Sequence, residues 1–547
     1  MKQWWFGVVY IALIVFLMPH SLTWNYKIIY ILYALIVFCA VFYLKKRNEN
    51  SKPDATTDKK RQNIIFAYVL IFSIALIVIS RLLPFIRFGE TPLGYDTGFY
   101  LSYFNYSNAL FNAFTPFYLN VFSSYALGLP ALESIYFIYI LSQLLIAGGI
   151  YALLRSLKIK NGFAIATIAV FLFAVSMTQF QAYWWMFGQQ LLSLAFLIFT
   201  LALIFKGSFL SIFTGVVGLL IHPPTFIILA FALSIFFAIY VLQILFKKRN
   251  IRKNVIFIAL LLLGAAIFIA ILKLQYFIDI FNFYILEHKG LASSFVFYEI
   301  PKMKGTFISP ETFYQNIYIL LPYALIGIIY AKIWGKKNSS TNDHLTILYC
   351  IIVGLFILTS FAFIYQHRFL ILFDVFLIVF SAPVLFTLIK NFLSDRVYII
   401  CALMLLFAFT AKLGITVYLQ KPQVSASELS EIKSSNDKLK KNSVILVTNS
   451  LYSPWLVGFS DKTIICPGFY HDNWNFNDWM KFWSSNDNKV RINLLNGIFL
   501  YYPYPLYIYI GEKQDKNLPY QAFIRTDSRF QNISPHFWKY TAGSENE

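Results

Sequence analysis

Charged residues are scarce in this sequence. Asp, Glu, Lys and Arg together make up 13% of its 547 residues, and only 25 residues are acidic. Soluble proteins carry about 25% charged residues, because their surfaces face water. Hydrophobic residues fill 59% of this chain instead, and aromatic residues fill 19%. This balance excludes a soluble globular protein and is typical of a protein that crosses a membrane many times.

Cysteine is also rare, and its placement excludes a disulfide framework. Cys39, Cys350 and Cys401 lie in apolar runs, and only Cys466 lies in the more polar C-terminal part. Disulfide frameworks need several cysteines together in an exposed region. The fold must therefore be held by packing and hydrogen bonds.

Long apolar runs recur along the first 418 residues. A helix needs about 20 apolar residues to cross a bilayer, and only helices satisfy this much backbone inside lipid. The predicted fold class is therefore an all-α polytopic membrane protein with a small extracytoplasmic α/β domain at the C-terminus. The sequence predicts thirteen membrane-spanning helices, over residues 4–20, 26–44, 64–84, 132–154, 162–178, 189–205, 208–221, 224–246, 254–274, 316–334, 344–365, 369–390 and 397–418.

Basic residues are distributed unevenly between the loops. Loops 45–63 and 247–253 are rich in Lys and Arg, and such loops stay on the cytoplasmic side. We therefore expect a multi-pass protein of the plasma membrane, with its N-terminus in the cytoplasm and everything after residue 418 outside. The net charge of +20 then reports topology, and no nucleic-acid partner is expected, because the tail 419–547 holds 14 basic and 12 acidic residues.

Two domains follow from this pattern. Residues 1–418 form the predicted transmembrane domain, with external loops 85–131 and 275–315. Residues 419–547 form the predicted extracytoplasmic domain. Its runs VILV (444–447), DKTIICPGF and GIFLYYPYPLYIYIGEK are rich in β-branched or aromatic residues, which favours strands.

The stretch GETPLGYDTGFYLSYF, residues 89–104, places one acid, Asp96, between Gly94 and Gly98 in an aromatic setting at the start of the first large external loop. The ordinary explanation is a helix cap, in which Asp96 accepts from the amide of residue 98 or 99. An aspartic-protease site needs two carboxylates, and no second DTG is present. A carboxylate at the boundary between lipid and water is also suited to act as a general base.

The many spans, the first large external loop with its early acid, and the external C-terminal domain resemble the GT-C membrane glycosyltransferases. The parity of the spans is similar to that of oligosaccharyltransferase catalytic subunits. The resemblance implies transfer of a sugar or glycan from a polyprenyl-phosphate or polyprenyl-diphosphate carrier in the membrane. The acceptor would be a glycan, lipid or protein on the outer face, and Asp96 would be the general base.

The sequence departs from the oligosaccharyltransferases in their best-known motif. Their WWDxG signature is absent, and YWWMFGQQ at 183–190 has the tryptophans without the acid. Those enzymes hold a divalent metal with several carboxylates, whereas segment 179–188, which we expect to be an external turn, has no acidic residue. This difference argues against a metal cofactor.

Several basic residues at predicted outer ends of spans are candidate contacts for the carrier phosphate. A phosphate leaving group needs positive charge or hydrogen-bond donors, and the guanidinium group of Arg suits phosphate well. An Arg at a span end also commonly pairs with lipid headgroups. The candidates are Arg368 and His367 in the YQHR turn, His222 in the HPP turn, and Arg87 at the exit of the third span.

Six further acids, one lysine and one histidine are also candidates for special roles. Glu311 and Glu133 are weaker candidates for the substrate site, since an acid in the first turn of a helix is ordinarily favoured by the helix dipole. Asp374 and Lys412 lie inside predicted spans, where an unpaired charge is costly, and we expect them to pair with each other. The tail places Asp461, His471, Asp472 and Asp478 close together in the sequence. Residues of these types can bind a metal, and the simpler interpretation is that they belong to a folded core.

Other functions fit the same composition. A lipid or polysaccharide flippase or transporter would also need outer cations, although such proteins favour broken helices and ionisable groups near the midplane. A polysaccharide polymerase or ligase is close in chemistry. A non-catalytic scaffold whose tail binds a partner is the third alternative.

Overall fold

The structure is a computed structural model that describes most of the chain. It describes residues 2–17, 24–50, 57–89, 91, 93–105, 124–185, 187–245, 260–262, 264, 267, 271, 310–329, 339–360, 366–392, 396–467, 474, 476–514, 516 and 518–542. Most of the predicted ninth span, residues 106–123 of the first external loop and most of the second external loop therefore lie outside the described residues.

Helices occupy the described part of the predicted transmembrane domain. They are α1 (Lys2–Leu17), α2 (Trp24–Asn50), α3 (Thr57–Phe88), α4 (Thr97–Asn105), α5 (Ala131–Ser156), α6 (Gly162–Ala174), α7 (Met177–Trp184), α8 (Gly188–Lys206), α9 (Leu210–Ile221), α10 (Pro223–Leu245), α11 (Pro310–Ile329), α12 (Ser339–Ser360), α13 (Gln366–Phe392) and α14 (Arg396–Leu419). Within the described ranges, five helices are long and apolar enough to span a membrane, or six if a bent pair counts as one span. The chain is thus a mostly helical multi-span membrane protein. The count of thirteen spans and their orientation stay predictions.

Burial differs strongly between these helices. The apolar part of α13 is 94% buried, whereas that of α3 is 22% buried. A helix that is apolar on all sides is stable in a core or in lipid. We infer that α13 is the central helix of the bundle and that α3 faces lipid along most of its length.

The predicted span 162–178 is broken. Helix α6 ends at Ala174, and α7 leaves at an angle of 51°. Ser176 caps α7 by accepting from the Gln179 amide at 3.1 Å. Segment 179–188, expected as an external turn, therefore begins within a helix whose residues are buried. The prediction failed because hydropathy does not distinguish a buried polar helix from a turn.

Asp374 and Lys412 do not pair. Asp374 of α13 is fully buried and accepts from the Ser176 hydroxyl at 2.7 Å, from Gln179 Nε2 at 3.0 Å and from Asn316 Nδ2 at 2.5 Å. Lys412 is exposed on α14. The prediction was wrong because hydroxyl and amide donors satisfy the carboxylate in place of an opposite charge.

The tail contains a five-stranded mixed sheet, which confirms the α/β prediction for this region. The strands lie in the order β2-β1-β3-β5-β4; β1 is parallel to β2 and β3, whereas β5 is antiparallel to β3 and β4. The elements are α15 (Ala426–Lys438), β1 (Val444–Val447), α16 (Ser453–Phe459), β2 (Thr463–Ile465), α17 (Phe476–Ser484), α18 (Asn488–Tyr501), β3 (Leu506–Tyr509), α19 (Pro519–Thr526), β4 (Phe530–Ser534) and β5 (Phe537–Tyr540).

One predicted strand run is partly helical. The segment that begins at Gly497 completes α18, and only Leu506–Tyr509 is a strand. Arg491, Leu495 and Ile498 are the buried residues of α18, and this spacing of three and four residues is helical. The helical spacing of the buried residues therefore determines the structure of this segment, although its aromatic residues favour a strand.

The two faces of the sheet belong to different cores. Ile445 and Val447 of β1 pack in the apolar cluster that contains the membrane helices, whereas Val444 and Leu446 pack in a separate cluster with the other tail helices. Successive strand residues point to opposite faces. The sheet is therefore covered on one side by elements joined to the membrane part and on the other by its own helices.

Candidate functional site

The segment before α4 holds Asp96 at the first helical turn. The Asp96 carbonyl oxygen accepts from the Tyr100 amide at 3.0 Å, the first bond of the helix. Gly94 has a φ of +75°, a conformation that favours glycine. The Tyr95 amide donates to the Trp185 carbonyl at 3.3 Å, just after α7. The backbone on both sides of Asp96 is thus fixed by helix formation and by the end of the bent helix.

The Asp96 side chain does not have the ordinary capping role. Such a cap needs a bond from the amide of residue 98 or 99 to the carboxylate, and no such bond is present among the residues that the structure describes. The side chain is partly exposed. Its carboxylate oxygens are therefore not occupied by a cap of α4.

The Asp96 carboxyl ionises less readily than an ordinary aspartate. Burial raises its pKa, the positive charge of Arg368 opposes the rise, and the result is a pKa of about 6. The group is mainly ionised at pH 7 and holds a proton more readily than an ordinary aspartate. A pKa near the working pH is the property that a general base needs.

Arg368 lies in the first turn of α13. Its guanidinium carbon is 4.9 Å from the centre of the Phe187 ring, and its backbone oxygen accepts from Gln190 Nε2 at 2.6 Å. The side chain is partly exposed, and its charge acts on both Asp96 and His222. Arg368 thus influences a carboxylate and an imidazole that come from two other segments of the chain.

His222 lies in the turn between α9 and α10. It is buried, and its Nδ1 atom is 2.7 Å from the Thr225 hydroxyl. Burial lowers its pKa, as does the charge of Arg368, to about 3. The imidazole is therefore neutral at pH 7. It can offer a hydrogen bond to a ligand but no positive charge.

The remaining candidates lie elsewhere or outside the described side chains. Arg87 is exposed at the end of α3, with its guanidinium carbon 4.6 Å from the centre of the Tyr418 ring and a hydrogen bond to the Tyr418 carbonyl. Glu133 is in the first turn of α5. The side chains of His367 and Glu311 lie outside the described part of the structure.

A divalent metal does not fit the described residues of this site. No group of three or more His, Cys, Asp or Glu side chains suited to a metal is present among them. A metal site of the oligosaccharyltransferase type needs several carboxylates, and among the described residues Asp96 has no such group around it.

Two residues near the candidate site are not distinguishable in the sequence. Tyr139 of α5 interacts electrostatically with Asp96, and the Phe187 ring packs against the guanidinium group of Arg368. Neither residue has a signal of its own, because the sequence contains 37 Tyr and 58 Phe. Only the packing of helices distinguishes these two rings from the others.

Among solved structures, the fold is similar to that of ArnT from Cupriavidus metallidurans bound to undecaprenyl phosphate. The TM-score is 0.51 at 12% sequence identity, and the match covers 88% of this chain and 98% of the ArnT chain. No protein-family model and no curated protein matches the sequence. The likeness is therefore one of fold, and at that level it agrees with the resemblance expected from the sequence.

Proposed function

We propose that this chain, with its GT-C fold, transfers a sugar or glycan from a polyprenyl-phosphate or polyprenyl-diphosphate carrier to an acceptor on the outer face of the membrane. ArnT, which shares the fold, was crystallised with such a carrier, undecaprenyl phosphate. The single observation that carries the proposal is the arrangement of Asp96. Its carboxylate has no capping bond and lies within the field of Arg368.

The reaction divides between these two residues. Asp96 takes the proton from the acceptor hydroxyl or amine as the acceptor attacks the anomeric carbon of the sugar. The bond between that carbon and the phosphate oxygen breaks, and its electrons leave with the phosphate. Arg368 stabilises the departing phosphate, and neutral His222 adds a hydrogen bond. Direct displacement inverts the configuration at the anomeric carbon.

We expect Asp96→Asn to reduce transfer at least about 100-fold, the usual contribution of a general base. The assay incubates the purified full-length protein with radiolabelled polyprenyl-phosphate sugars and a membrane extract that supplies acceptors, and it measures release of the carrier. Asp461→Asn is the matched control, since Asp461 pairs with Lys462 on the tail at 2.7 Å and is exposed. Normal turnover by the Asp96 variant would remove the assignment.

A flippase is the second candidate, and the bend between α6 and α7 is the observation that favours it. Broken helices with nearby ionisable groups are common in transporters, and Asp374 bonds Ser176 at this break. In sealed vesicles, a flippase would move the labelled donor between leaflets with its sugar still attached. Loss of the sugar from the carrier would identify a transferase.

A further inference from the structure

The tail touches the proposed catalytic segment through bare backbone. A Cβ placed on Gly98 would lie 2.1 Å from the Pro454 carbonyl oxygen, and a Cβ placed on Gly458 would lie 2.1 Å from the Gly98 carbonyl oxygen. Distances below 3.0 Å are not tolerated by real Cβ atoms. Helix α16 therefore crosses α4 with one glycine on each side of the contact, two residues after Asp96.

The surrounding contacts fix this crossing. The Tyr95 hydroxyl donates to the Ser450 carbonyl at 2.7 Å, so the residue before Asp96 is bonded to the loop that follows β1. Tyr452, Trp455 and Leu456 are fully buried in the cluster that contains the membrane helices. The tail is thus packed into the membrane part at the segment that carries Asp96.

We propose that the C-terminal domain positions Asp96, and that Gly98 and Gly458 are the positioning residues that set how closely α16 approaches. The inference rests on the proposed function of Asp96. Both obstructing groups are backbone atoms, which cannot rotate away as a flexible side chain does. Even one methyl group at residue 458 must separate α4 from α16 and move the carboxylate relative to Arg368.

The expected effect on catalysis is large for so small a change. A displacement of about 1 Å in a catalytic group can reduce a rate about 100-fold. The proposed carrier contacts, Arg368 on α13 and His222 in the turn between α9 and α10, lie on other elements and remain in place. We therefore expect kcat to fall far more than KM for the donor rises. A loss of folded enzyme would also lower the apparent kcat without changing KM, so kcat is calculated per folded molecule.

The test compares Gly458→Ala with Gly497→Ala in the full-length protein. Both glycines are in helices of the tail, but a Cβ at Gly497 would meet nothing within 4 Å. Alanine favours an unobstructed helix by about 1 kcal/mol over glycine, so the control should fold at least as well. The measurements are kcat, KM and hydrogen exchange of the α4 amides.

We expect Gly458→Ala to lower kcat about 100-fold and to accelerate exchange in α4, with Gly497→Ala unchanged in both. Tyr95→Phe removes only the bond to Ser450 and should lower kcat in the same sense by a smaller factor. Wild-type kcat and exchange in Gly458→Ala would overturn the inference, as would an equal loss in the control. Hydrogen exchange does not depend on turnover, so it tests the crossing even if Asp96→Asn disproves the proposed function.

Discussion

The surroundings of two carboxylates in this protein distinguish a structural role from a catalytic one. Asp374 is fully buried and accepts from three side chains, so it is held by the fold and shielded from a substrate. Asp96 is partly exposed, and the described residues give it no capping bond. A sequence shows both only as rare acids in apolar surroundings. The hydrogen-bond partners decide that Asp96 is the candidate base.

The pH dependence of the proposed reaction follows from the pKa of Asp96. The base must be ionised, so kcat/KM should fall as the pH drops below about 6, the pKa set by burial and by Arg368. A nearby positive charge favours the carboxylate, so Arg368→Gln should raise this pKa by up to about one unit. The acid limb of the pH profile would then move to higher pH, besides the loss of rate from weaker phosphate binding.

Arg87→Gln is the matched control for this experiment. Arg87 is also an arginine at the end of a helix, but it packs on Tyr418. The acid limb of the pH profile of Arg87→Gln should coincide with that of the wild type. If Arg368→Gln leaves the limb in place, the two groups do not interact in the working protein.

At the scale of elements, the break between α6 and α7 is built from polar contacts on both sides. Arg81 Nη1 donates to the Ala174 carbonyl at 3.2 Å, and the Ser176 hydroxyl donates to Asp374 at 2.7 Å. A helix end in an apolar core needs partners for its free backbone groups. Arg81 supplies one at the end of α6, and the Ser176 hydroxyl, held by Asp374, accepts from the Gln179 amide at the start of α7. The residue after α7 bonds Tyr95, so the bend helps to build the candidate site.

Asp374→Asn should therefore destabilise the protein, although no ion pair is lost. The asparagine amide would face donors from Gln179 and Asn316, and each unsatisfied buried group costs about 1–3 kcal/mol. Lys412→Met should be neutral, because Lys412 is exposed. Thermal unfolding of the two variants in the same detergent checks this prediction. Equal destabilisation by both changes would contradict this prediction and would indicate that Asp374 and Lys412 do interact.

At the scale of the whole molecule, the tail is joined to the membrane part by a shared core. Trp455 of α16 is fully buried in the cluster of the membrane helices, whereas Trp479 of α17 is equally buried in the cluster of the tail alone. The two tryptophans thus belong to the two faces of one sheet. Replacing Trp455 tests the packing between the tail and the membrane helices, whereas replacing Trp479 tests the packing within the tail.

Trp455→Ala and Trp479→Ala should each cost about 3–5 kcal/mol, the usual loss for a buried tryptophan. The location of the damage should differ. Trp455→Ala should accelerate hydrogen exchange in α4 as well as in the tail, because its core is shared with the membrane helices. Trp479→Ala should accelerate exchange in the tail only. Identical patterns for the two variants would contradict the division into two cores.

The sequence by itself determined the class of the protein. Apolar runs dictate membrane helices because lipid offers no partner for the backbone, and the rarity of acids directed attention to Asp96. Tertiary structure decided the bend at Ser176, the amide partners of Asp374, and the helical start of the run after Gly497. It also decided the meeting of Gly98 with Gly458. Hydropathy and propensity are local properties of the chain, whereas these contacts join segments that are far apart in the sequence.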